Sequence, residues 1–238
     1  MQDYIQAIEG FIKEIKETQS ENVKKAAEII AESIMNGGIV HSFGSGHSHA
    51  ASLEVAGRAG GLIPVKALDE PARGYYETVE GVGTKLMEDY DLRPNDCFII
   101  ISNSGRNPLG IEVAQYVKSK GNKVIVVTAL EFSKSQTSRH SSGKKLYEFA
   151  DVILDNKGLS GDAAIEIEGM PVKMGPTSTV TSAVLLNWTV IEATKIMLSK
   201  GYTPPVYMSK NVDGGLEYNK KLVAQYADRL FRKPHIKP

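Results

Sequence analysis

The sequence is short of several things at once, and each shortage closes off a class of protein. Its 238 residues hold one cysteine, Cys97, so no disulfide can form within the chain and a reducing compartment is expected. Lys and Arg number 28 and Asp and Glu number 28, so no basic excess argues for nucleic acid or an anionic membrane as partner. No apolar run approaches the ~18 residues of a membrane span. Met1 leads into a charged amphipathic segment, not an apolar signal segment, and a soluble cytoplasmic protein is the expectation. No internal repeat and no low-complexity linker divides the chain.

What the sequence has is a stretch around which the rest is organised, Gly37-Gly38-Ile39-Val40-His41-Ser42-Phe43-Gly44-Ser45-Gly46-His47-Ser48-His49. It reads as a buried strand over residues 38–43, a loop rich in glycine and hydroxyls, and a helix from Ser48 to about residue 59. Glycines let the backbone turn sharply and approach a ligand closely. Ser45 and Ser48 supply hydroxyls, and the first helical turn supplies free N–H groups at the positive end of a dipole. That combination favours a phosphate. The loop is neither of the common nucleotide loops. No lysine follows Gly46, which a P-loop requires, and position 49 is His where the dinucleotide pattern needs Gly.

The same chemistry recurs twice. Cys97–Ser102 reads as an apolar strand running into Ser102-Asn103-Ser104-Gly105-Arg106-Asn107-Pro108 and a helix over 107–120, with Asn107 suited to the cap and Pro108 to the first turn. Gly175-Pro176-Thr177-Ser178-Thr179 opens the longest helix, to about residue 199, with Thr177 or Ser178 as its cap. Further strands are expected at 62–68, 124–128 and 152–154, the unbroken apolar run of the second of these suggesting burial on both faces. Helical spacing marks residues 3–18, a second helix capped by Ser20, a short stretch at 84–89, another at 144–150 and a final helix ending near 231. Residues 129–142 read as loop. Ala163–Ile167 and Met170–Met174 read as a hairpin turning at Glu168-Gly169.

Strands alternating with helices predict an α/β fold, a doubly wound parallel sheet. Right-handed crossovers bring the carboxyl ends of its strands to one edge, where ligands sit in such sheets. The three hydroxyl clusters should therefore meet.

The loops Gly44-Ser45-Gly46-His47-Ser48 and Ser102-Asn103-Ser104-Gly105-Arg106-Asn107, with Thr177-Ser178-Thr179, resemble the sugar isomerase (SIS) domain family over residues 35–200. Ser138-Arg139-His140-Ser141-Ser142-Gly143 and Asn211-Val212-Asp213-Gly214-Gly215 most resemble a bacterial branch of it, described as phosphosugar isomerases or phosphosugar-binding proteins. The resemblance implies a five-stranded parallel sheet flanked by helices, a homodimer or higher homo-oligomer, a phosphorylated sugar as ligand and no cofactor. By motif it implies phosphate binding by Ser102, Asn103, Ser104, Gly105 and Asn107, with Ser45, Gly46, His47 and Ser48 joining from the first loop. Thr177, Ser178 and Thr179 close the site, and Arg106 matches an arginine of the phosphosugar etherase relatives. Residues 1–36 would form helices packing on the core or a partner, 37–200 the sugar-phosphate domain, and 201–238 a C-terminal segment of the same domain.

Aldose–ketose isomerisation needs a carboxylate or histidine above the C1–C2 bond. Glu54, in the helix after Ser48, and Glu70, in the loop after the second strand, are the candidate bases. His140, in the loop after the fourth strand, suits ring opening. His47 and His49 make a His-x-His pair, but zinc wants at least three protein ligands and nothing nearby completes a set, so no metal is expected. A phosphosugar isomerase is the first expectation; a non-catalytic phosphosugar sensor and an amino-sugar-phosphate lyase are the alternatives.

Overall fold

The computed structural model describes residues 3–233; His235 and the rest of the basic terminus lie outside them. Two helices come first, α1 (Tyr4–Thr18) and α2 (Ser20–Met35). Ser20 does not cap α2 but is its first helical residue, following Gln19. Then follow β1 (Val40–Gly44), α3 (Ser48–Glu54), β2 (Val65–Ala67), α4 (Val82–Glu88), β3 (Cys97–Ile101), α5 (Pro108–Ser119), β4 (Lys123–Thr128), α6 (Leu130–Ser135) and β5 (Val152–Asp155). A hairpin of β6 (Ala163–Ile165) and β7 (Met174–Pro176) leads into the long α7 (Ser178–Ser199), and α8 (Gly215–Ala224) and α9 (Ala227–Leu230) end the described chain.

Strands β1 to β5 form one parallel sheet in the order β2-β1-β3-β4-β5. The strand order reverses at β1 and β3, so the topological switch point lies between their carboxyl ends. These two strands pair in register from Val40 opposite Cys97 to Gly44 opposite Ile101, so they end at the same level.

Each face of the sheet buries its own core. Val40, Cys97, Ile99, Ile101, Ile125 and Val127 pack beneath α2, α3 and α7. Phe43, Phe98, Ile100, Val124 and Val126 pack beneath α4 and α5. The period-two alternation along β3 and β4 assigns one residue to each face in turn. Burial raises the Cys97 thiol to about 12, so it stays protonated and unreactive.

Two expectations need correction. Residues 129–142 are not all loop, because α6 forms within them. Its caps come from far along the chain: Leu130 N–H donates to Asp155 Oδ1 at 3.1 Å, and the Lys145 ammonium donates to the carbonyls of Ser133 and Gln136 at the other end. The hairpin also pairs further along than expected, Ala163 opposite Pro176 and Ile165 opposite Met174. Its register is fixed from outside by α1. The Tyr4 hydroxyl donates to Pro176 O at 2.7 Å, and a Cβ on Gly175 would lie 2.8 Å from the Tyr4 ring.

At the amino-end edge of the sheet, a buried polar knot ties the C-terminal helix to the strands. Asp96 accepts from Ile39 N–H at 3.0 Å, Arg93 N–H at 2.9 Å and Arg229 Nη2 at 2.6 Å, and His41 Nε2 lies 3.2 Å away. His41 stacks on Phe98 with ring centres 4.6 Å apart. Burial lowers the His41 pKa, so the neutral ring donates through Nε2 and leaves Nδ1 as a bare lone pair, the cheaper state for its partnerless nitrogen. Burial opposes the charge on Asp96, but His41, Arg229 and Ile39 N–H outweigh it and hold the carboxyl at about 2. The contribution of the Asp96 carboxylate is therefore complete above its ordinary value of 3.8 and is lost as pH falls through about 2. Urea unfolding of the wild type should lose roughly 2 kcal/mol across that window. Asp96→Ala should cost roughly 3–5 kcal/mol at neutral pH, by breaking the buried pair with Arg229, which keeps only Asp91 at 3.4 Å, and by unpairing the Ile39 and Arg93 N–H groups, and should flatten that dependence.

Candidate functional site

The loops after β1 and β3 open side by side into one cleft of about 380 Å³. Ser45, Gly46, His47 and Ser48 line it from the first loop and Ser102, Asn103, Ser104 and Asn107 from the second. Local geometry explains the first loop. A Cβ on Gly44 would lie 2.3 Å from Ser48 O, so only glycine lets the first turn of α3 fold back onto the strand end. Among the described residues, the N–H groups of Gly46, His47 and Ser104 carry no hydrogen bond. The Ser45 hydroxyl is buried and also has no partner, a state that costs about 1–3 kcal/mol. The segment 70–76 lies over it, and a Cβ on Gly74 would sit 3.3 Å from Ser45 Oγ. In the second loop, Ser102 Oγ accepts from Gly105 N–H at 3.2 Å, and Asn156 Nδ2 donates to Asn103 Oδ1 at 2.8 Å, which fixes the turn.

The remaining candidates lie elsewhere. Arg106 turns away from the cleft and donates to Gln136 Oε1 at 3.0 Å and Thr137 Oγ1 at 3.1 Å. Gly105 is buried under Leu146, whose N–H donates to Gly105 O at 2.9 Å. The third hydroxyl cluster is already occupied. Asp162 accepts from the N–H groups of Thr177 at 3.1 Å and Ser178 at 2.8 Å, and from Ser178 Oγ at 2.5 Å. A carboxylate thus caps α7 where the sequence offered Thr177 or Ser178, and Thr179 is exposed. Asp162 itself lines the cleft.

None of the three acid/base candidates lines this cleft. Glu54 pairs with Arg58 and accepts from Asn187 Nδ2 at 2.8 Å. Glu70 is buried and its two oxygens clasp the N–H groups of Ala72 and Gly74, shaping the segment over Ser45. His140 Nδ1 accepts from Ser142 N–H at 3.1 Å, which places its proton on Nε2, 3.6 Å from Glu112. Glu112 in turn accepts from the N–H groups of Gly81 at 2.5 Å and Gly83 at 2.7 Å, seating α4 on α5.

Besides Asp162, which is committed to the start of α7, the carboxylate that lines the cleft is Glu77, which the sequence reading did not single out. It is half-buried, and Leu109 N–H in the first turn of α5 holds its backbone oxygen at 3.2 Å. Burial raises its pKa, with Glu70 adding to the rise and Arg139 opposing it. The polar, aromatic character of residues 69–76 marked the segment, but not which of its neighbouring glutamates would turn inward. Arg73 and His47 are the other charge-bearing groups on the rim beside Asp162. No group of three His, Cys, Asp or Glu among the described residues is placed to hold a metal ion, and no helix there is long and apolar enough to cross a membrane.

Fold and cleft together define a doubly wound α/β domain with a polar switch-point cleft. The chain belongs to the SIS domain family, whose sequence model matches residues 3–129, from α1 through β4 and across both cleft loops. A UPF0309 protein of Listeria monocytogenes is 57% identical over 92% of this chain and 94% of its own length. One from Halalkalibacterium halodurans is 43% identical over 95% of this chain and 94% of its own. Among solved structures, the phosphoheptose isomerase GmhA of Neisseria gonorrhoeae superposes with a TM-score of 0.57 at 18% identity, over 80% of this chain and 95% of that one. A phosphoheptose isomerase from Francisella tularensis gives 0.54 at 14% identity, over 81% and 95%. At these identities the likeness is one of fold.

Replacing the capping carboxylate tests the reading of α7. Asp162→Ala should cost about 1 kcal/mol, the worth of a helix cap. For a chain this long that is a fall of about 2–4 °C in the melting temperature, read by calorimetry or circular dichroism.

Proposed function

We propose that the protein binds a phosphorylated sugar in the switch-point cleft and interconverts aldose and ketose forms by proton transfer. The carrying observation is Glu77: a half-buried carboxylate of raised pKa in the same cleft as seven hydroxyl, amide and glycine positions of the two loops. Neutral hydroxyls and backbone N–H groups suit a phosphate dianion without a lysine. The unpartnered Ser45 hydroxyl and the free N–H groups of Gly46, His47 and Ser104 are the donors on offer. Phosphate held there leaves the carbon chain to extend toward Glu77.

In this reading Glu77 replaces Glu54 and Glu70 as the base. It takes the proton from C2 of the open-chain aldose, and the electron pair becomes the C1–C2 double bond of an enediol as O1 is protonated. Returning the proton to C1 while O2 loses its own gives the ketose. His47, on the rim of the cleft, is the group placed to give a proton at O1 and take one at O2. A raised carboxylate pKa strengthens the base.

A second reading has its own support. Glu54, Glu70 and His140 are all committed to other bonds, which suits a protein that binds a phosphosugar and reports it to a partner without turnover.

The two readings part on one experiment. A thermal-shift screen over hexose, amino-sugar and heptose phosphates finds ligands, a bound ligand adding about 2.7 kcal/mol at a hundredfold excess over Kd. Proton NMR in D2O then follows exchange at C2. The isomerase reading expects exchange with at least one ligand, and Glu77→Gln should slow it by at least about 100-fold while keeping the thermal shift. Ligands that bind without exchange leave the sensor.

A further inference from the structure

The motif Ser138-Arg139-His140-Ser141-Ser142-Gly143 does not enter the cleft, yet it reaches the cleft's carboxylate. Arg139 Nη1 donates to Asn107 Oδ1 at 3.1 Å, and Asn107 Nδ2 donates to Glu77 Oε1 at 2.9 Å. We propose that Arg139 is a positioning residue, which through the Asn107 amide fixes the Glu77 carboxylate in the cleft. This rests on the reading of Glu77 as the reacting base.

The order of the three groups admits one arrangement. A guanidinium only donates and a carboxylate only accepts, so the amide between them must turn its oxygen to Arg139 and its NH2 to Glu77. Turned the other way, it would face a donor with a donor and an acceptor with an acceptor. Asn107 precedes α5, and its first-turn Leu109 holds the Glu77 backbone, so side chain and main chain of Glu77 are pinned to one helix end. Asn107 thereby has a partner at each polar atom, which gives it a part in carboxylate support.

Arg139 is exposed, but the loop carrying it is not adrift. Its own N–H donates to Arg106 O at 2.8 Å. Ser141 donates to Glu80 through N–H at 2.6 Å and through Oγ at 2.7 Å, and His140 faces Glu112. The other charged groups around Glu77 are Glu70 and Arg73 on the overlying segment, His47 before α3, and Asp162 across the cleft. Arg139 opposes the rise that burial and Glu70 impose on Glu77, so it keeps the base ionised as well as aimed.

The test is a ¹³C NMR titration of the Glu77 side-chain carboxyl in the full chain, beside the pH profile of C2-proton exchange. Arg139→Gln should move the carboxyl midpoint up by about half a pH unit or more, and the acid limb of the exchange profile should move up with it. Arg139→Lys, which keeps the charge, should recover part of the shift. Asn107→Ala should lower kcat with little change in KM. Ser141→Ala, which weakens the same loop without touching Arg139, should leave the midpoint where it is. An unmoved Glu77 midpoint in Arg139→Gln, or an equal shift in Ser141→Ala, overturns the proposal. If no phosphosugar exchanges its C2 proton, the isomerase reading falls, while the carboxyl titration still decides whether Arg139 governs Glu77.

Discussion

Everything at the cleft depends on the in-register parallel pairing of β1 with β3. Because Gly44 lies opposite Ile101, the two strands run out at the same height and release their loops at the same edge. The neighbouring crossovers diverge from there, β1 toward β2 and β3 toward β4, which leaves a crevice between the two loops, and the β2–β3 connection lays residues 73–77 along it. A one-residue slip would move both a loop and the alternating core residues of its strand. The cores on the two faces therefore hold the cleft loops in place as much as they hold the sheet. Val40, Ile99 and Ile101 on one face, with Phe43, Phe98 and Ile100 on the other, make any other register costly.

Around that crevice the chain uses one interaction repeatedly, a carboxylate accepting from backbone N–H groups. Glu70 closes the segment over Ser45, Glu112 seats the start of α4, Asp155 starts α6 and Asp162 starts α7. Each satisfies donors that a turn or helix start leaves open. The same donor chemistry draws a phosphate to a loop, and the protein separates the two uses by supply. Where the chain provides its own carboxylate, the donors are closed to a ligand; at Gly46, His47 and Ser104 it provides none. Glu77 stands apart because one side-chain amide, that of Asn107, and not a row of N–H groups, holds its carboxylate at Oε1.

This also explains what the sequence could and could not show. The apolar runs 97–101 and 124–128, the glycine and serine of the two loops, and the 22-residue α7 were legible because local pattern and burial agree there. The meeting of the loops at Ser45 and Ser104 followed from topology alone. What stayed hidden was set by residues distant in sequence. α6 takes its caps from Asp155 and Lys145, the hairpin register comes from Tyr4, and the α7 cap is Asp162 instead of a local hydroxyl. Glu54, Glu70 and Glu77 look alike as letters. Which of them faces the cleft depends on the partners each finds: Glu54 and Glu70 meet Arg58 and the 72–74 backbone close by, whereas Glu77 is held by Asn107, which is not adjacent in sequence.

The two edges of the sheet divide the work. At the amino edge, Asp96 gathers His41, Arg229, Arg93 and Ile39 into a buried knot, and Asn122 adds a bond to Asp96 O at 2.9 Å. At the carboxyl edge, a buried hydroxyl and several N–H groups are left open beside a carboxylate that burial makes reluctant to ionise. The buried Ser45 hydroxyl subtracts from stability, and the knot lies at the start of the same strands, β1 and β3, whose far ends carry the open loops. A rigid sheet transmits that anchorage along a few residues. The anchorage at one end thus offsets the cost of the buried hydroxyl left open at the other.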